Sequence, residues 1–245
     1  MKRISLGKRI LLGAVCVSAI LFAAPLRSAS AADLGLKAPM APVPQYSWTG
    51  FYIGGQGGYG WNYAEFDNLA PAPFLNQEWS GDGGFGGGMI GANYELGASH
   101  IVVGVEGEYN GADLSGKSID PFGNSHSVTL KSFGSAGGRL GFDLTGPGWG
   151  KSLLYIVGGA AFGDASQTFT TGLAGPSVTF ASGNTVGWAF GAGVEFAVTD
   201  HWLVRCEWRM YDFDIASFPA NAVVPVAYST RDTLNTARLG VSYKF

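Results

Sequence analysis

From residue 48 to residue 245 side-chain character alternates with a period of two, and no stretch is continuously apolar over the ~18 residues that a membrane helix needs. Trp202, Val204, Cys206, Trp208 and Met210 share one face of an extended segment, and Leu203, Arg205, Glu207, Arg209 and Tyr211 share the other. The C-terminus repeats the rhythm, with Ala237, Leu239, Val241, Tyr243 and Phe245 set against Thr236, Arg238, Gly240, Ser242 and Lys244. Val186, Trp188, Phe190, Ala192, Val194 and Phe196 oppose Gly187, Ala189, Gly191, Gly193 and Glu195 in the same way. Val103, Val105, Gly107 and Tyr109 oppose Gly104, Glu106, Glu108 and Asn110. Successive side chains of a β-strand point to opposite faces, so this is a strand signature. One face is apolar or aromatic, and the other is small or charged.

Weaker segments complete the set. Phe51, Ile53, Tyr59 and Trp61 alternate with Tyr52, Gly54, Gln56 and Gly58, and the stretches 84–95, 127–142 and 152–163 are strand-like with faces that the sequence leaves unassigned. About eight strands of ~9–11 residues result, the length of a tilted membrane strand. The connections sort by length: 62–83, 111–126, 163–184 and 212–232 are long, whereas 96–100, 143–151 and 199–201 are short. Long loops on one rim and short turns on the other are the pattern of outer-membrane barrels, with both termini on the short-turn, periplasmic side. The expected fold is all-β: a closed, antiparallel transmembrane β-barrel of about eight strands.

Composition decides which face meets lipid. Charged residues are 13% of the chain, about half of what a soluble domain carries, and there are 39 glycines. Lipid cannot satisfy backbone groups, so a strand that faces it must belong to a closed sheet. Its charges must then point inward, because an Arg at the lipid midplane costs about 2–4 kcal/mol. Glu106, Glu108, Glu195 and Glu207 are thereby expected to meet Arg139, Arg205, Arg209 and Arg238 in an interior ion-pair network. Eight strands leave a lumen largely filled by side chains. Trp61, Trp202, Tyr94, Tyr109, Tyr243 and Phe245 are expected near strand ends, as interfacial girdles.

The chain begins with a basic stretch (Lys2, Arg3, Lys8, Arg9), an apolar run from Ile10 to Phe22 and a small-residue site at Ala29-Ser30-Ala31. This predicts a signal peptide over 1–31, since the apolar run is too short to span a bilayer. Residues 32–47, with Pro39, Pro42 and Pro44, read as an extended linker, and 48–245 as the barrel domain. Removal of the first 31 residues leaves ten basic residues against 18 acidic ones, a net charge of −8 that argues against nucleic acid as a partner. Of two cysteines only Cys206 would remain, so no intramolecular disulfide is expected.

At Trp48-Thr49-Gly50-Phe51-Tyr52-Ile53-Gly54-Gly55 and at Arg238-Leu239-Gly240-Val241-Ser242-Tyr243-Lys244-Phe245 the chain resembles the small alphaproteobacterial outer-membrane proteins often called porin-family or outer-membrane immunogenic proteins. Gly104-Val105-Glu106-Gly107-Glu108, Gly138-Arg139-Leu140-Gly141 and the stretch from Val186 to Glu195 match as well. The resemblance implies an eight-stranded barrel in the outer membrane, inserted by the outer-membrane assembly machinery. It also implies that Leu239, Val241, Tyr243 and Phe245 form the signal which that machinery reads. Gly137 departs from the pattern, because similar proteins often carry a second Arg there. The resemblance implies no single activity; members are described as structural, porin-like, adhesive or antigenic.

Nothing in the sequence assembles a catalytic or cofactor site. His100, His126 and His201 fall in or beside different connections, and no HExxH, paired CxxC or calcium-loop motif occurs. His126 between Ser125 and Ser127 could suggest a lipid hydrolase, but no nucleophile turn accompanies it. Three functions stay open: a structural or surface-interaction barrel without catalytic activity, a narrow pore for small solutes, and a lipid-modifying enzyme. The expected partners are outer-membrane lipid, the assembly machinery and an outer-loop ligand or host surface of unknown identity. No cofactor or metal is expected.

Overall fold

The computed structural model describes residues 46–68, 78–119, 125–146, 148–170, 175, 177–218 and 228–245. The expected signal peptide and nearly all of the expected linker lie outside them. Eight strands form one closed barrel: β1 (Gly50–Asn68), β2 (Glu78–Glu95), β3 (Ile101–Ile119), β4 (Ser125–Asp143), β5 (Ser152–Thr170), β6 (Ser177–Ala197), β7 (Trp202–Phe218) and β8 (Tyr228–Lys244). Each pairs antiparallel with the next, and β8 returns to β1 from Tyr52↔Lys244 to Asn68↔Tyr228. Closure removes the sheet edges that lipid could not solvate. No helix among the described residues is long and apolar enough to cross a membrane.

The strands are 17 to 21 residues long, about twice the expected length. They absorb much of the stretches read as long loops, and Ser177, read as a loop residue, opens β6. The short connections stay short, including a single 3-10 turn at Gly97–Ser99 whose exit residue His100 takes a left-handed φ of 58°. Trp61 and Tyr109 lie well inside β1 and β3, not near their ends.

The extra length has a physical reason, because the barrel has two storeys of opposite polarity. In the lower storey the outward positions are apolar: Phe51, Ile53, Ile90, Val105, Leu140, Ile156, Val204 and Leu239 are exposed, while Arg205, Glu207 and Arg238 beneath them are buried. This is the lipid-facing band, about 25 Å tall in barrels of this class. Above it the order inverts. Asp82, Asp113, Lys117 and Asp164 are exposed, and Phe85, Leu114, Ala165 and Phe213 are buried. The upper storey has the apolar-in, polar-out face pattern of a water-soluble sheet.

Register shifts mark the boundary. They occur at Gly111/Leu114 in β3, Leu130/Ser132 in β4, Ala181/Asn184 in β6 opposite Asp164 and Ser166 of β5, and Phe213/Ala216 in β7. A bulge inserts one residue and re-phases the alternation. In β4 it brings both Leu130 and Phe133 inward, where a strict period of two would separate them. The faces of the weaker strands follow: Phe85, Met89 and Asn93 point in from β2, Phe133, Ser135 and Arg139 from β4, and Leu153, Tyr155, Val157 and Ala161 from β5.

Candidate functional site in the barrel interior

The lumen is filled in three layers. The lowest closes the periplasmic mouth with residues that precede β1. Trp48 is fully buried against Val102, Leu153 and Leu203, and Tyr46 packs edge-on to it at 5.0 Å between ring centroids. The Trp48 indole N–H donates to Asp143 Oδ1 at 3.0 Å, and its backbone N–H donates to Glu95 Oε2 at 3.0 Å. Lys244 donates to the Ser47 carbonyl and lies 4.1 Å from the Tyr46 ring centre, with Lys151 at 5.0 Å. Tyr46, assigned to the linker on sequence, is thus part of the packed mouth. Burial first, then the negative fields of Glu195, Asp200, Asp143 and Glu95, push the Tyr46 phenol above its ordinary pKa.

The middle layer is ionic. Four glutamates and four arginines, each at most 5% exposed, meet here. Arg205 Nη1 lies 2.6 Å from Glu106 Oε2, and Arg209 Nη2 lies 2.7 Å from Glu106 Oε1. Arg209 also reaches Glu207 through Nε at 2.7 Å and Glu108 through Nη1 at 3.1 Å. Arg139 pairs with Glu195, and Arg238 with Glu108. The side chains come from β3, β4, β6, β7 and β8, and their formal charges cancel. Buried charges cost several kcal/mol each unless partners and hydrogen bonds replace water, and every member here has both.

Neutral groups supply further hydrogen bonds, although Arg139 Nε, Glu195 Oε1, Arg205 Nε and Arg238 Nε find no hydrogen-bond partner among the described residues. Tyr52 OH donates to Glu106 Oε2 at 2.7 Å, Tyr155 OH donates to Glu207 Oε2 at 2.8 Å, and Tyr211 OH donates to Glu108. Gln56 donates to Glu108 and, at 2.9 Å, to Asn110, while Ser135 bridges Glu108 and Arg209. The Arg139 guanidinium lies over the Tyr155 ring at 3.6 Å. Sequence reasoning did not select these partners. Asn110 and Tyr211 are nonetheless readable, since they share the face of the charged residues on their own strands, and Tyr52 and Gln56 lie opposite the apolar face of β1. Ser135 and Tyr155 gave no such signal because their strands had no assigned face.

Gly137 is placed by close approach. A Cβ there would stand 2.1 Å from the Gly158 carbonyl oxygen, and one on Gly159 would stand 2.4 Å from the Gly137 Cα. An Arg at 137 would need the β4–β5 backbones to separate, so the ionic layer is built without it.

The top layer is apolar. Phe85, Leu114, Leu130, Phe133, Ala161, Ala165, Ala189, Tyr211, Phe213 and Leu234 form one buried cluster. Phe133 packs edge-on against Phe85 and Tyr211, each at 5.1 Å.

The other candidates do not converge. His100 Nδ1 is 3.7 Å from Asp143 Oδ2, and His201 Nδ1 lies 2.9 Å from the Lys244 carbonyl, both at the mouth. The His126 side chain lies outside the described residues. Among the described residues no group of three or more His, Cys, Asp or Glu could hold a metal ion. Leu239 and Val241 are exposed on the outer face of β8 and Phe245 is exposed just beyond its end, and Tyr243 contacts Trp202 and Phe245 edge-on at 5.3 and 5.2 Å.

Known proteins match this architecture. A family model described as outer membrane protein beta-barrel domain matches residues 17–245. The chain is 32% identical over 209 residues to the 25 kDa outer-membrane immunogenic protein of Brucella canis, covering 85% of this chain and 84% of the relative. It is 29% identical over 240 residues to the 31 kDa outer-membrane immunogenic protein of Brucella melitensis biotype 1, covering 89% and 94%. The 22 kDa outer membrane protein of Rhizobium leguminosarum bv. viciae is 31% identical over 209 residues, covering 84% and 82%.

Proposed function

We propose that this chain, which belongs to the outer membrane protein β-barrel family, is a sealed barrel with a structural and surface-interaction role and no catalytic activity. It resides in the outer membrane. The observation that carries the reading is the filled lumen: the mouth packed around Trp48, the ionic layer and the apolar cluster around Phe133 lie in series along the barrel. A solute crossing it would have to dismantle buried ion pairs that cost several kcal/mol apiece to break. The upper storey then serves as a soluble-type platform raised clear of the lipid. Relatives named immunogenic proteins support surface display.

Partners follow from the same faces. The outward apolar band contacts outer-membrane lipid, and Leu239, Val241, Tyr243 and Phe245 form the segment read by the assembly machinery. The test is conductance of the purified protein in planar bilayers. Absence of discrete openings at physiological salt is the expected result. Reproducible single-channel steps would favour a narrow pore and overturn the sealed-barrel reading.

A further inference from the structure

Among the described residues the barrel wall opens most widely between β6 and β7. The β6–β7 ladder runs from Ala197↔Leu203 up to Gly187↔Phe213 and stops there. β6 continues upward, paired to β5 as far as Thr170↔Ser177. β7 also continues, but after the bulge between Phe213 and Ala216 it pairs with β8 as far as Phe218↔Tyr228. Among the described residues, the β7-facing edge of β6 from Ser177 to Val186 therefore carries no ladder, a longer gap than the four residues by which the β2–β3 ladder stops short above Asp82↔Ser115.

This edge stands above the lipid band, level with Asp164, which pairs with Asn184. Water can solvate its open backbone groups, so it does not violate the rule that governs the lower storey. Natural proteins protect such edges with charged side chains, prolines or bulges. The sequence Ser-Val-Thr-Phe-Ala-Ser-Gly-Asn-Thr-Val over 177–186 contains no charge and no proline, and its one protective feature is the bulge between Ala181 and Asn184. It is rich in β-branched residues, which favour strand addition.

We infer that the upper edge of β6 is a docking site for an extended polypeptide strand, which adds to the sheet by backbone hydrogen bonding. The inference deepens the surface-interaction reading above and rests on it. A second copy of this chain is a poor occupant. Two copies in one membrane hold β6 pointing the same way, so their edges cannot form an antiparallel ladder. A flexible segment from an extracellular protein has no such restriction. Its chemistry follows from the surroundings: β5 presents Asp164, β7 carries Asp212, and the chain without its first 31 residues has a net charge of −8. A strand of alternating β-branched residues with basic flanks fits best.

The test is amide hydrogen exchange, read by mass spectrometry, on the wild-type protein in lipid nanodiscs. The probe is a synthetic ten-residue peptide of alternating threonine and valine with lysine at each end. Without peptide, the amides of 177–186 that do not bond to β5 exchange rapidly, while those of 187–197 are protected. With peptide, the fast set slows by about tenfold or more. Uniform protection of 177–186 before peptide is added would overturn the inference, because another part of the same chain would then cover the edge. Slowing that is absent, or that falls on other strands, overturns it equally. None of these outcomes touches conductance, so the sealed-barrel reading stands or falls separately.

Discussion

Glu106 on β3 and Arg209 on β7, 103 positions apart in the chain, meet at 2.7 Å in the middle of the barrel. Glu106 also receives Arg205 and the Tyr52 hydroxyl, so one carboxylate ties three strands across the lumen. Replacing Glu106 by Ala removes the nearest carboxylate of Arg205 and one of the three carboxylates that meet Arg209. Breaking a buried pair in this way costs about 3–5 kcal/mol. The double variant Glu106→Leu with Arg209→Met should cost clearly less than the sum of the single changes. Urea unfolding in lipid vesicles reads both, and strict additivity would show that the pair is not coupled.

Val204 lies on the outer face of β7, and Ser177 is exposed at the top of β6. Val204→Arg should reduce the folded yield in vesicles by an amount equivalent to about 2–4 kcal/mol, whereas Ser177→Arg should fold like wild type. Heat-modifiable migration on a detergent gel reads the folded fraction.

Two glycines separate local packing from backbone entropy. A Cβ on Gly137 would meet the Gly158 carbonyl at 2.1 Å, whereas one on Gly107 meets nothing within 4 Å. Gly137→Ala should therefore destabilise by about 1–3 kcal/mol through overpacking. Gly107→Ala should stay within about 0.5 kcal/mol of wild type. The same urea titration distinguishes them.

The mouth is expected to loosen in alkali. Burial raises the Tyr46 phenol above its ordinary pKa of 10.0. A raised folded-state pKa means that the stabilisation is complete below pH ~10 and is lost as pH climbs from there towards the folded value. Trp48 fluorescence, quenching by aqueous iodide included, should report increased exposure over that range. Tyr46→Phe should remove the alkaline step, and Trp48→Ala should cost about 3–5 kcal/mol at neutral pH.

Much of this fold is legible in the sequence, and the illegible parts share one cause. β7 and β8 announce both faces because Arg205, Glu207, Arg209 and Arg238 alternate with Val204, Trp208 and Leu239. β4 and β5 do not, because Phe133, Tyr155, Val157 and Ala161 point inward opposite apolar outward neighbours, and the bulge at Leu130/Ser132 re-phases β4. The upper storey reads as loop because its polarity is inverted. Asp82, Asp164 and Asp212 fall where lipid-facing apolar residues would continue a membrane strand, and a search for lipid-facing periodicity ends there. Tyr46 and Trp48 were divided between linker and barrel, since nothing local in a Pro-rich stretch records that it folds back into the mouth.

The facing of the sheet can be tested with the side chain nature placed between two buried charges. Cys206 sits on the outer face of β7 between Arg205 and Glu207, which point into the ionic layer. A nitroxide attached to Cys206 in reconstituted liposomes should collide frequently with dissolved oxygen and rarely with a water-soluble nickel chelate. Collision rates typical of water, or of a packed protein interior closed to both reagents, would contradict a barrel that turns its apolar face to lipid.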